Sequence, residues 1–280
     1  MLNTKQIGVV VVVLVVIGAL LAQPIKGLVD KEKETTTASA ADESSSSMYN
    51  LKSVSELSKQ SINSSLAQTI SAIELQLEKA EGEEKIALYQ DLANKWDDVA
   101  KPIPQAFVYQ EMAKISPKFD YWLKAGDAFR EGYTNQQDTA MSSALNQFAI
   151  QSYEKAIEID ANSLAAKTGL GASLVTGSNN PMAGIALLRE VVQAEPKNLD
   201  ANKTLGLFSM KSQQYDKAVE RFKTVIEIKP DAESYFYLAT AYEKIGLKNE
   251  AIAAYKKSKE IAADPTLSQY IDRQIEELSK

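Results

Sequence analysis

A repeat of 33 to 35 residues in the second half of the chain constrains the fold more than any other feature. A leucine beside a small residue, a second small residue, an aromatic residue four positions later and a proline recur in that order. One copy consists of Leu205, Gly206, Ala218, Phe222 and Pro230. The next copy, 33 residues on, consists of Leu238, Ala239, Ala251 and Tyr255, followed loosely by Pro265. Such a period is typical of helix pairs that stack, because one pair alone buries too little apolar surface.

Earlier copies are less regular but keep the same order of residues. The preceding unit has Leu170 and Gly171 in its first helix and a turn with the sequence GSNNP that ends at Pro181. Before it, a unit that opens at Trp122 contains about eleven extra residues around 133–143, which we expect to extend a loop or lengthen a helix. A degenerate unit with Trp96 comes first. The chain therefore contains about five units.

This pattern resembles the tetratricopeptide repeat family, and specifically its bacterial membrane-anchored members, over about 180 residues. The resemblance implies an all-α fold, an α-solenoid of about five helix pairs. We expect the array to span 86–264. Its units are expected at 86–118, 119–163, 164–198, 199–231 and 232–264.

Additional helices are predicted at both ends of the array. Residues 265–280 have an amphipathic pattern, which indicates a C-terminal capping helix. Residues 51–85 are expected to form an N-terminal helical cap, mainly through one long helix over 54–80. The apolar face of that helix is compatible with two roles, a cap on the solenoid or a coiled-coil seam for self-association, which makes a homo-oligomer an alternative.

The N-terminal region predicts a membrane anchor over 1–29. Sixteen consecutive residues, Ile7 to Ala22, carry no polar side chain. With its flanks this run gives a transmembrane helix over 5–24, because a helix needs roughly 20 residues to cross the hydrocarbon core. A cleaved signal peptide is the alternative, but the apolar run exceeds the usual length and Leu20 stands where a small residue is wanted.

Residues 30–50 are rich in Ser, Thr and Ala and predict a flexible tether. Counting lysines beside the membrane segment slightly favours a cytoplasmic body. The short N-terminal flank without acidic residues and the absence of thiols favour export instead. We therefore expect a single-pass inner-membrane protein whose repeat domain is periplasmic, with a cytoplasm-facing adaptor as the alternative.

The composition of the chain excludes several classes of chemistry. Among 280 residues there is no Cys and no His, which removes thiol and imidazole nucleophiles, zinc sites that use those ligands, and disulfides. Paired carboxylates such as Asp97 and Asp98, or Glu83 and Glu84, lie next to each other in sequence and so on different sides of a helix. We expect no catalytic residues, no metal site and no cofactor. A net charge of -6 without a basic stripe argues against nucleic acid as a partner.

In the family that the chain resembles, the first helix of each unit lines a concave groove. The resemblance places the following residues there: Gln90, Asn94, Asp97, Leu123, Asp127, Arg130, Thr168, Ala172, Val175, Lys203, Leu207, Met210, Phe236, Thr240 and Glu243. We expect seven of them to bind a protein or peptide partner: Asp127, Arg130, Lys203, Leu207, Met210, Phe236 and Glu243. The expected function is a membrane-anchored scaffold, for example in assembly, secretion or quality control of envelope proteins.

Overall fold

The computed structural model describes residues 49–280, and in that range the chain forms thirteen α-helices. The helices are α1 Leu51–Lys59, α2 Ser64–Leu77, α3 Gly82–Asp97, α4 Pro102–Ile115, α5 Phe119–Thr134, α6 Thr139–Ile159, α7 Leu164–Gly177, α8 Pro181–Ala194, α9 Leu199–Lys211, α10 Tyr215–Ile228, α11 Ala232–Lys244, α12 Lys248–Ile261 and α13 Pro265–Leu278. Within this part of the chain, none of the helices has the length and apolar character needed to cross a bilayer. The predicted membrane segment, 5–24, lies outside the described residues.

Local sequence signals fix where many of these helices begin. Side chains of Asn, Ser or Asp cap eight N-termini by accepting a hydrogen bond from the first turn. Proline occupies the first turn of α4, α8 and α13, where its missing N–H costs nothing. The GSNNP turn behaves as its sequence predicts, since Asn180 caps α8 and Pro181 begins it.

The helices from α3 to α12 form five consecutive pairs, each with a first helix A and a second helix B. The two helices of a pair pack against each other, and each helix B packs on helix A of the next pair. Helix A also contacts helix A of the next unit from α5 to α11, so these helices form one continuous layer. The prediction of an all-α solenoid of about five helix pairs is confirmed.

The extra residues of the second unit lengthen a helix. Helix α6 has 21 residues, whereas the B helices of the other units have 14. The added N-terminal turns bury Met141 and Leu145 in the largest core cluster. Apolar contacts therefore stabilise the insertion as helix, which was one of the two outcomes that the sequence allowed.

The prediction of a single long helix over 54–80 is wrong, because this region forms the two helices α1 and α2. Helix α1 ends at Lys59, and Asn63 caps α2 by accepting a hydrogen bond from the backbone N–H of Leu66 at 2.8 Å. Ser and Asn side chains compete with helical backbone hydrogen bonds and favour such breaks. The regular apolar spacing continues across the break, which explains why periodicity alone did not reveal it.

The apolar faces of α1 and α2 pack against other helices of the same chain. Helix α1 contacts α4 and α2 contacts α3. Val54, Ile70, Ile73 and Leu77 are buried in the same core cluster as Trp96. The residues that would have formed a coiled-coil seam therefore pack on the first helix pair.

At the other end, α13 packs on α12. Its Ile271 is fully buried, and Leu267, Ile275 and Leu278 pack against the same core cluster. This helix covers apolar side chains of the last repeat that would otherwise face solvent.

Candidate functional site

The A helices present one face that we call the inner face. It consists of the residues six and three positions before, and one and four positions after, the small residue at the crossing of each pair. These positions share one side of a helix because their angular positions differ by less than about 90° at 3.6 residues per turn. The inner face comprises Ala87, Gln90, Asn94, Asp97, Asp120, Leu123, Asp127, Arg130, Ala165, Thr168, Ala172, Val175, Asp200, Lys203, Leu207, Met210, Glu233, Phe236, Thr240 and Glu243.

Tyr153 is the most constrained side chain beneath this face. It belongs to helix B of the second unit, is fully buried, and donates a hydrogen bond of 2.7 Å from its hydroxyl to Oδ1 of Asp127. Its ring lies against two glycines. A Cβ atom would lie 2.7 Å from the ring at Gly126 and 2.2 Å from it at Gly169. Glycine at these two positions lets a helix-B tyrosine reach the inner face.

Arg130 and Asp200 connect the second unit to the fourth across the third. Nη2 of Arg130 donates to Oδ2 of Asp200 at 2.7 Å, although 70 residues separate them. The third unit contributes two small residues, Ala165 and Gly169, to the surface beside this bridge. A cleft of about 390 Å³ lies here. It is lined by Asp127, Arg130, Ala165, Thr168, Gly169, Asn198, Leu199 and Asp200.

Two side chains at the cleft, Asp127 and Tyr153, have raised pKa values. Burial raises the pKa of Asp127, and the neighbouring Asp200 adds to this, against the opposing effects of the Tyr153 hydroxyl and Arg130. Burial, and then the Asp127 carboxylate, raise the pKa of Tyr153, which stays a neutral donor. The cleft thus places two carboxylates and one guanidinium, which pairs with Asp200, in a partly desolvated space.

The fourth and fifth units give the inner face a different character. Leu207, Met210 and Phe236 are partly buried against the C-terminal core cluster and keep part of their surface exposed. The Phe236 ring has three aromatic neighbours, Tyr237, Tyr255 and Tyr270, at centroid distances of 5.7 to 5.9 Å. We call Leu207, Met210 and Phe236 the apolar patch. The aromatic contacts hold Phe236 in one orientation within it.

The last predicted site residues lie around this patch. Nζ of Lys203 forms an ion pair of 2.6 Å with Glu233. Glu243 accepts a hydrogen bond of 3.0 Å from the Tyr255 hydroxyl, which also lies 3.2 Å from Oγ1 of Thr240. The structure therefore brings Asp127 and Arg130 together in one cleft and groups Leu207, Met210 and Phe236 in the apolar patch. Lys203 and Glu243 belong to separate polar contacts.

Tyr153 and Tyr255 occupy the same repeat position in helix B and contact equivalent inner-face positions. Asp127 corresponds to Thr240, and Arg130 corresponds to Glu243. The other two regular units have Leu188 and Phe222 at the tyrosine position. Sequence analysis used Phe222 and Tyr255 only as repeat markers, and it missed Tyr153, Tyr255 and Asp200 as parts of the site. Their repeat positions were the available signal.

Within residues 49–280, no three acidic side chains come together in a way that could hold a metal ion. The arrangement of the inner face suits recognition of a polar and apolar surface.

Comparison with known proteins identifies the repeat. The sequence matches the tetratricopeptide repeat family over residues 176–242 and again over 232–265. It is also 29% identical over 125 residues to Anaphase-promoting complex subunit 3 of Dictyostelium discoideum. That match covers 44% of this chain and 13% of the curated relative, so the chain spans about one eighth of that protein's length.

Solved structures share the architecture. The crystal structure of the MamA protein is 26% identical, covers 64% of this chain and 92% of its own, and gives a TM-score of 0.50. MamA from residue 41 to the end, from Desulfovibrio magneticus RS-1, is 20% identical, covers 65% and 97% of the two chains, and gives a TM-score of 0.52. The helix pairs, their packing and these matches lead to one conclusion: this chain contains tetratricopeptide repeats, arranged over the described residues as an all-α solenoid of stacked helix pairs.

Proposed function

We propose that this scaffold binds a polypeptide partner along the inner face of its A helices. The residues that carry binding are Asp127, Arg130, Lys203, Leu207, Met210, Phe236 and Glu243. In this proposal the scaffold is anchored in the membrane and acts in assembly, secretion or quality control of envelope proteins.

The observation that carries the proposal is the partly exposed apolar patch beside a polar cleft. Leucine, methionine and phenylalanine side chains together give a partner apolar surface to bury. Buried tyrosines beneath the surface fix the polar groups around the patch, so that little side-chain entropy is lost on binding. The curated relative is, by its name, a subunit of a complex, which supports a role in protein association.

Site-specific photo-crosslinking tests whether the inner face is the contact surface. A photoreactive amino acid at Met210 should form crosslinks to a partner protein in cells. The matched control places it at Glu227, an exposed position on α10. A partner crosslinked from Glu227 and not from Met210 would contradict the proposal.

The substitutions Leu207→Asp and Met210→Asp provide a second test. Both residues are partly exposed, so the helices should form normally, which circular dichroism can check. Placing carboxylates on the apolar patch should abolish capture of the crosslinked partner, because the patch would lose apolar surface and binding would bury unpaired charges at a large desolvation cost. Capture at the wild-type level would exclude the patch as the binding site.

Membrane attachment is a separate part of the proposal. It depends on the apolar run within 5–24 and on the tether at 30–50. We propose an inner-membrane anchor with the repeat domain in the periplasm. A reporter that is active only outside the cytoplasm, fused after Lys280, should be active. A silent reporter with a positive cytoplasmic one would instead support an adaptor that faces the cytoplasm.

A further inference from the structure

The charge of the inner face restricts which partners fit it. Its twenty positions include six carboxylates and two cations. Both cations already have a carboxylate partner, because Arg130 pairs with Asp200 and Lys203 pairs with Glu233. An acidic ligand would therefore have to displace an existing ion pair and would also face the remaining carboxylates.

Three of the other carboxylates lack such a partner. Asp97, Asp120 and Asp127 form no ion pair with a lysine or arginine anywhere in residues 49–280. Asp127 is the most informative of the three, because it lines the cleft that Asp200 and Arg130 also line. A cation from a ligand would balance the charge there, since the cleft holds two carboxylates and one guanidinium.

The apolar patch lies next to this cleft along the array. The cleft reaches Asp200 at the start of α9, while Leu207 and Met210 lie further along α9 and Phe236 lies on α11. Neighbouring packed helices are about 8 to 10 Å apart. Asp127 on α5 is two such spacings from Leu207 on α9, about 16 to 20 Å, because α7 lies between them. An extended peptide covers that distance in about five or six residues, at roughly 3.3 Å per residue.

We infer that the partner is a polypeptide segment with a lysine or arginine that enters the cleft beside Asp127 and apolar residues, about five or six positions away, that contact Leu207, Met210 and Phe236. This inference rests on the proposed function, because it assigns the chemistry of the ligand to the same inner face. Tyr153 determines where the carboxylate of Asp127 lies, because its hydroxyl donates a hydrogen bond to that carboxylate. Gly169 leaves room for the Tyr153 ring.

Selection from a random library of nine-residue peptides tests the inference on the full-length chain in detergent. The enriched peptides should contain a basic residue and, about five or six positions away, apolar residues. Each enriched peptide is then resynthesised with its basic residue replaced by glutamine or glutamate. Fluorescence anisotropy should show about tenfold weaker binding for the glutamine version and weaker binding still for the glutamate version.

Asp127→Asn is the informative variant of the protein, because the asparagine oxygen can still accept the Tyr153 hydrogen bond. This variant should bind the basic and glutamine peptides almost equally. The matched control, Glu220→Gln, removes one exposed carboxylate from α10 and should keep the full preference. If both variants lost the preference for the basic peptide equally, the preference would depend only on the overall charge of the protein. That result would overturn the inference.

The outcomes separate the two proposals. Enriched peptides without basic residues, or an unchanged preference in Asp127→Asn, would overturn the basic-ligand inference and leave groove binding intact. Wild-type binding of the enriched peptides by a variant with Leu207→Asp and Met210→Asp would overturn groove binding itself.

Discussion

The ring of Tyr153 occupies the space in which a side chain on Gly169 would begin. A Cβ on Gly169 would lie 2.2 Å from Cζ of Tyr153, far inside van der Waals contact. Tyr153 is held from the other side by Gly126, and its hydroxyl reaches Asp127 on the inner face. Two glycines from successive A helices thus determine where one polar group of the candidate site lies.

Gly169→Ala should destabilise the protein because of this contact. In an exposed helix the same change would stabilise by about 1 kcal/mol through helix propensity. Here the overpacking cost of roughly 1 to 3 kcal/mol should prevail and lower the urea midpoint measured by circular dichroism. In a Tyr153→Leu background, which removes the outer ring atoms, Gly169→Ala should be neutral or stabilising. Equal effects in both backgrounds would rule out the steric explanation.

Asp127→Asn should change the pH dependence of stability. Burial raises the pKa of folded Asp127 above its ordinary value of 3.8, so the folded chain binds this proton more tightly than the unfolded chain does. The stability that the proton contributes is present below 3.8 and is lost as pH rises through the folded pKa. Asparagine does not ionise. The stability of the variant relative to wild type should therefore increase as pH rises from about 3 to about 7.

Urea midpoints of both proteins across that pH range provide the measurement. Arg130 and Asp200 face Asp127 in the cleft, so the ionic strength must be kept constant. A difference between the two proteins that stays flat or falls with rising pH would contradict the raised pKa.

Gln213→Gly should stabilise the turn between α9 and α10. Gln213 has a φ of 59°, and Gly246, 33 residues later in the corresponding turn, has a φ of 81°. A residue with a Cβ atom pays about 1 kcal/mol or more in this left-handed region. We expect a gain of about 0.5 to 1 kcal/mol from the change. Gly246→Ala is the matched reverse and should lose stability, although no atom lies within 4 Å of its added Cβ. In thermal unfolding, Gln213→Gly should raise the midpoint temperature and Gly246→Ala should lower it. Shifts in the same direction would contradict the prediction.

Ile70→Ala should be strongly destabilising if α2 packs on the first helix pair as described. Ile70 is fully buried, and truncation of a buried isoleucine costs about 2 to 5 kcal/mol. Leu75→Ala, on the same helix but 58% exposed, should cost far less. Chemical unfolding of both variants gives the comparison. Similar small losses would mean that α2 is not anchored to the array.

The ion pair between Arg130 and Asp200 should contribute little to stability. The side chains are 35% and 48% exposed, so solvent screens their attraction. A double-mutant cycle with Arg130→Gln and Asp200→Asn should give a coupling energy below about 1 kcal/mol that falls with added salt. A coupling energy above about 2 kcal/mol would contradict this prediction and would show that the ion pair stabilises the fold despite its exposure.

The repeat could be predicted because its signals are local. Pairs such as Gly206 and Phe222 recur at a fixed spacing, and each helix-pair crossing needs a small residue opposite a large one. The break between α1 and α2 was missed because it depends on capping by Asn63 and not on apolar spacing. Candidate positions such as Leu207 followed from the repeat register, but their roles in binding stay predictions.

The amino-acid sequence by itself determined the helix-pair architecture, the exclusion of thiol and imidazole chemistry, and the register of the inner face. Helical periodicity and composition act within one unit, so they can be read from a single sequence. Only the tertiary structure decided that Arg130 reaches Asp200 across the third unit and that Tyr153 lies between Gly126 and Gly169. These contacts join residues from different units, and they depend on how closely the units stack, which no local pattern specifies.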